Sequence, residues 1–217
     1  LEDDERMFGF DRADLKGERV LDVAAGSASF TAELNALGVD VMAVDPCYRL
    51  RPRSVMDRTI VDFKEMKAYV RSHLEHLNLT EEALEAHFEC RDMARRQFLE
   101  DYTFGIACGR YQAASLPVLR FDDAAFDRVF CGHFLFLYSQ FFDRGFHLDA
   151  LRELARVARK EVRIYPLREL NGEMYPHLDD LRGILAAEGI ESALSDGEEG
   201  TLIGSRERLI LYPKNKD

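Results

Sequence analysis

The chain has 217 residues, 47% hydrophobic and 32% charged with 6 prolines, which fits a folded domain and argues against disorder or low-complexity sequence. Its formal charge of −11 sets aside a non-specific nucleic-acid coat or a membrane-surface anchor, while leaving room for a local basic patch. No apolar run approaches the ~20 residues of a membrane-spanning helix. The first residues, Leu1-Glu2-Asp3-Asp4-Glu5-Arg6, lack the basic and apolar parts of a signal peptide, and the absence of Met leaves room for residues upstream. Cys47, Cys90, Cys108 and Cys131 are widely spaced without a CxxC pair, so no metal is expected and a cytoplasmic protein with reduced thiols is the simplest reading.

The run Arg19–Ala24 is short, apolar and rich in β-branched residues, as a buried strand requires. It breaks at Ala25-Gly26-Ser27-Ala28-Ser29. A helix follows with Phe30, Leu34 and Leu37 on one face and Gly38 as its stop, and then a second strand, Val39–Val44, ends in Asp45-Pro46. This is a βαβ unit with a parallel pair. Between Arg49 and Arg110 the pattern turns helical. Ile60, Phe63, Met66, Val70, Leu74 and Leu77 fall at spacings of three and four, which predicts one amphipathic helix. Thr80 is placed as the N-cap of a second, with Glu81 and Glu82 in its first turn and an expected end near Asp101. Asn78-Leu79-Thr80 matches a glycosylation sequon, without meaning in a chain read as cytoplasmic.

Strands and helices then alternate again. Strands are predicted at Arg110–Ala114, Phe126–Cys131, Glu161–Tyr165, Ile190–Leu194 and Arg208–Tyr212, and helices at Leu148–Ala158 and His177–Glu188. The last two strands are joined by Asp196-Gly197-Glu198-Glu199-Gly200 and its neighbours, short enough for a hairpin, so the final strand should run antiparallel. The expected fold is α/β: one domain over residues 1–217 with a doubly wound, mostly parallel seven-stranded sheet and a helical insertion at 49–110.

Ligands in such folds bind beyond the carboxyl ends of the strands, where strand order reverses. The small residues after the first strand let a ligand approach the backbone and the following helix N-terminus. Asp45, ending the second strand, suits the two hydroxyls of a ribose. Asp22, ending the first, would repel a pyrophosphate and suits a ligand carrying an ammonium group.

These residues carry a resemblance. Val20-Leu21-Asp22-Val23-Ala24-Ala25-Gly26-Ser27-Ala28 resembles the first motif of class I S-adenosylmethionine-dependent methyltransferases, and Leu119-Arg120-Phe121 through Phe126-Asp127-Arg128-Val129 resembles that family's run into strand four. Leu151–Val157 is similar to its helix before strand five. The resemblance implies a Rossmann-like fold, S-adenosylmethionine as cofactor, and a cofactor site at Asp22, Ala24, Ala25, Gly26, Asp45, Pro46, Ser115, Leu116 and Cys131. The turn departs from the family's three glycines, having Ala24, Gly26 and Ala28, so it must use ordinary dihedrals or carry strain. Ser115 stands where an Asp often meets the adenine amino group. The strand-four motif of amino-group base methylation is replaced by Cys131-Gly132-His133-Phe134, which favours a small-molecule acceptor over nucleic acid.

His133 and Tyr138 are the candidates for a general base, each weighed against a packing role. Arg49, Arg51, Arg53 and Arg58 are read as a solvated or acid-paired face, or as a draw for an anionic substrate. Phe8-Gly9-Phe10 and Tyr138–Phe146 are either lids or core. Residues 49–110 hold 11 basic and 11 acidic residues, so the whole charge excess lies on the α/β core. Two other readings stay open: a non-catalytic adenosyl-ligand or partner-binding module, and an NAD-dependent oxidoreductase, which predicts a parallel final strand.

Overall fold

The computed structural model describes residues 1–74, 77, 79–198 and 205–214. Its elements are α1 (Glu2–Phe8), β1 (Arg19–Val23), α2 (Phe30–Ala36), β2 (Asp40–Val44), α3 (Pro52–Ser72), α4 (Glu81–Ala107), β3 (Tyr111–Gln112), β4 (Phe126–Gly132), α5 (Arg144–Val157), β5 (Ala158–Tyr165), α6 (Leu178–Ala187), β6 (Glu191–Asp196) and β7 (Glu207–Tyr212). The seven strands form one sheet in the order β3-β2-β1-β4-β5-β7-β6. β7 is antiparallel to β5 and β6, and the other pairings are parallel. The expected doubly wound sheet with a reversed last strand is what forms, because the join between β6 and β7 is too short for a crossover helix. Glu199 and Gly200 of that join lie outside the described residues, as does Asn78 of the sequon.

β1 is buried over its last four residues, as its unbroken apolar run requires in a strand flanked by parallel neighbours. β4 shows the period of two. Val129 and Cys131 face a core shared with Leu151 and Leu154 of α5 and Leu181 and Leu185 of α6. Phe130 faces the other way, its ring 5.1 Å from Phe8, 5.1 Å from Phe10 and 5.3 Å from Phe30. Phe8-Gly9-Phe10 is therefore core rather than lid.

Several boundaries differ from the sequence reading. Leu37 lies beyond α2 and is 57% exposed, while Thr31 turns inward beside Phe30 and Leu34. α3 starts at Pro52, so its packed stripe begins with Val55 and Thr59, which rotates Ile60 out to solvent. Leu74 and Leu77 fall after the helix, packed against Val70, Leu84 and Phe88. Thr80 caps α4 as expected, accepting the Ala83 N–H at 3.2 Å. α4 continues past Asp101 to Ala107 because Phe98 and Tyr102 are buried against Tyr48 and Tyr111, covering the β2–β3 side of the sheet. Ala158 begins β5 rather than ending α5.

The chain leaves β1 for β2 on one side and returns to β4 on the other, so the switch point lies at the C-terminal ends of β1 and β4. A left-handed residue follows each: Ala24 with φ +58° and His133 with φ +51°. A Cβ in that region costs about 1–2 kcal/mol. Ala24→Gly should therefore raise unfolding stability by about 0.5–1 kcal/mol after its unfolded-state entropy is counted, and denaturant titration measures it.

Candidate functional site

Three adjoining cavities surround the turn after β1. The largest, about 500 Å³, is lined by Ala24, Asp45, Pro46, Ser115, Leu116, His133 and Tyr138, with Phe134, Phe142 and Phe146 as its apolar wall. A second, about 300 Å³, lies under α3 and α4; Asp22, Ala24, Ala25, Gly132 and His133 form its floor. A third, about 410 Å³, runs past Gly26, Asp45 and Pro46 to Arg49 and Arg58. Ala24 and His133 border the first two, and Asp45 and Pro46 border the first and third. The fold thus gathers the predicted residues from four separate strand ends. Cys131 is the exception: it is fully buried in the core, its thiol pushed up to about 12 by burial first and then by Asp22, and the neighbouring Gly132 faces the cavity. A Cβ on Gly132 would come within 2.9 Å of the Phe8 ring, so only glycine fits there.

Asp45 is held from two sides. One carboxylate oxygen accepts the Cys47 N–H at 2.8 Å, capping the 3-10 turn Pro46–Arg49, and the other accepts the Gly26 N–H at 3.1 Å. Each oxygen keeps a lone pair for a further donor. The Gly26 carbonyl in turn accepts the Tyr48 hydroxyl at 2.7 Å, and the Ala25 N–H donates to the Val44 carbonyl at 3.2 Å. These bonds hold a turn in which Ala24 takes a glycine-like φ. Nothing in the sequence marks Tyr48; it lies three residues past Asp45, inside the aromatic cluster with Phe98, Tyr102 and Tyr111.

Asp22 is 7% exposed and accepts the Thr31 hydroxyl at 3.1 Å. Burial, with the neighbouring carboxylates of Asp4 and Asp45, raises its carboxyl to about 7 against the opposing pull of Thr31. The site therefore contains a carboxyl group short of positive charge. His133 lines two cavities and donates its backbone N–H to the Tyr165 carbonyl at 2.7 Å. Burial, and then Arg91, holds its imidazole down at about 3, so it is neutral near pH 7. Burial raises the Tyr138 phenol, which stays protonated. Ser115 sits at the cavity mouth in a tight turn closed by Val118, whose N–H donates to its carbonyl at 3.2 Å. Of the arginine run, Arg53 pairs with Asp57 at 3.4 Å and Arg58 with Asp62 at 2.6 Å along α3, while Arg49 and Arg58 reach the third cavity.

No protein-family model matches the sequence. Among solved structures, the methyltransferase domain of bacterial CtHen1 aligns over 96% of this chain and 98% of its own, with TM-score 0.52 and 14% identity. Magnesium protoporphyrin IX methyltransferase from Synechocystis PCC 6803, crystallised with S-adenosylhomocysteine, aligns over 93% of this chain and 77% of its own (TM-score 0.51, 16% identity). A SAM-dependent methyltransferase from Methanosarcina mazei aligns over 92% and 93% (TM-score 0.50, 13% identity). At these identities the likeness is one of fold. In sequence, the uncharacterized protein MJ0045 of Methanocaldococcus jannaschii is 32% identical over 178 residues, 81% of this chain and 79% of its own. The chain has the fold of the class I S-adenosylmethionine-dependent methyltransferases and belongs to the family of MJ0045.

Proposed function

We propose that this protein is an S-adenosylmethionine-dependent methyltransferase acting on a small-molecule acceptor, with room for an anionic group on that acceptor. One observation carries the reading. Asp22, Asp45 and Ser115, drawn from separate strand ends, meet around two cavities that share Ala24 and His133. The apolar cavity suits an adenosine, with Asp45 free to accept both ribose hydroxyls and Ser115 at the base. Asp22, a carboxyl short of positive charge, suits the ammonium of the amino-acid end. Ala24 borders both cavities.

When bound, S-adenosylmethionine supplies an electrophilic methyl group. The protein's part is then to align and to exclude water. His133, neutral and with a basicity far below that of ordinary histidine, serves as a hydrogen-bonding wall at the shared border rather than as a strong base. Tyr138, which also lines the apolar cavity, can orient an acceptor through its hydroxyl. α3 and α4 overhang the smaller cavity and would select the acceptor as it enters. The reversal of β7 weighs against the nicotinamide reading, which calls for a parallel final strand.

Titration calorimetry with S-adenosylhomocysteine tests the proposal. Saturable binding of one equivalent at sub-millimolar concentration is expected, and absence of any binding there would sink it. A purely binding module would bind the same compound; methyl transfer from labelled cofactor into acidic small molecules separates the two.

A further inference from the structure

The cavity under α3 and α4 has a carboxyl group on one wall and guanidinium groups on another. Asp22 closes it at the end of β1, and Arg91 and Arg95 enter from successive turns of α4. Arg95 is committed elsewhere: it pairs with Asp92 at 2.6 Å and lies over the Phe63 ring at 5.6 Å. Asp62, on the same cavity, is paired with Arg58. Arg91 is half-buried and makes no ion pair or hydrogen bond among the described residues.

The titratable groups around Arg91 are few. His87 on its own helix is held at about 4 by burial and then by Arg91 itself, so it is neutral near pH 7. His133, after β4, is neutral as well. Asp4 on α1 feels the guanidinium from beyond ion-pair distance, and burial raises its carboxyl. A partly dehydrated guanidinium with no carboxylate against it calls for an anion. A buried carboxyl on the same cavity calls for a cation. The ligand end that meets both is a zwitterion.

We infer that Arg91 binds the α-carboxylate at the amino-acid end of S-adenosylmethionine while Asp22 takes its ammonium, making this cavity specific for a free α-amino acid group. The inference rests on the cofactor reading above. It also gives the long β2–β3 connection a role: α4, anchored by its buried Phe98 and Tyr102, holds Arg91 on the cavity, where the guanidinium fork can grip a carboxylate with two parallel bonds.

The test compares two ligands by calorimetry: S-adenosylmethionine and its decarboxylated form, which keeps the ammonium and the sulfonium. Wild type should prefer the carboxylated compound by about ten- to a hundredfold, the scale of charged hydrogen bonds. Arg91→Gln should lose that preference by weakening only S-adenosylmethionine, and Arg91→Lys should keep part of it. Unchanged binding of the decarboxylated compound shows that the variant is folded. If Arg91→Gln keeps the preference, or weakens both ligands equally, the inference fails, and an acidic acceptor becomes the partner to seek for Arg91. If wild type binds neither compound, the cofactor reading itself fails.

Discussion

Asp22→Asn is expected to make the ligand-free protein more stable above pH 7 and to weaken S-adenosylmethionine binding at the same time. The carboxyl is raised to about 7 in the folded protein from an ordinary value of 3.8. The folded state therefore holds this proton over a pH range in which the unfolded chain has released it. Linkage gives the sign: this group's contribution to stability is full below about pH 4 and is lost as pH rises towards 7. Across that window the loss is on the order of 4 kcal/mol, because each pH unit between the two values costs about 1.4 kcal/mol. Asparagine keeps an oxygen for the Thr31 hydroxyl but carries no charge to bury. Thermal unfolding at pH 5.5 and pH 8 should show the variant gaining on wild type at the higher pH.

Binding moves the other way. An ammonium beside Asp22 favours the carboxylate, so wild-type affinity should fall about tenfold per pH unit below 7, with proton uptake by the site in competition. Above pH 7 it should level off. The variant should bind about ten- to a hundredfold more weakly than wild type at pH 8 and lose the pH dependence. Calorimetry across pH reads both. A wild-type affinity that is flat from pH 5.5 to 8 would mean that no ammonium meets Asp22.

Asp45→Ala is expected to weaken S-adenosylhomocysteine binding by about 1.5–3 kcal/mol, the scale of lost charged hydrogen bonds. It should also cost about 0.5–2 kcal/mol of stability, because the Cys47 N–H loses its cap and the Gly26 N–H its acceptor. Asp45→Asn separates the two roles. One amide oxygen can still cap the turn, but the paired acceptors facing a ribose diol are gone. The amide nitrogen cannot accept the Gly26 N–H, so stability between wild type and Asp45→Ala, with affinity well below wild type, is the expected pattern. Wild-type affinity in both variants would show that the ribose assignment is wrong.

The double duty of Asp45 shows what a strand-end acid conceals in sequence. Its position after an apolar strand is enough to mark it as a candidate ligand for hydroxyls. Its two backbone bonds depend on Gly26, 19 residues earlier in the chain, and on the 3-10 turn that follows. Likewise residue type alone marks His133 as a base. Only its depth and the approach of Arg91 from α4 make it neutral and weakly basic.

The −11 charge and the balanced 49–110 segment are sequence properties, and the alternation of strands and helices follows from local periodicity. So does the reversed last strand, since a short join permits no crossover. Asp22, Asp45 and the small-residue turn are legible for the same reason: parallel strands in an open α/β sheet end at one edge, so strand-end residues must meet there. Arg91, Tyr48 and Phe8 are not legible. They reach that edge from α4, from the turn after β2 and from the N-terminal segment, through packing between parts distant in sequence. The helix phase that turns Ile60 outward and Arg91 inward is likewise settled by tertiary contacts. Periodicity alone leaves the start of α3 and the inner face of α4 undefined, and burial against the sheet decides both.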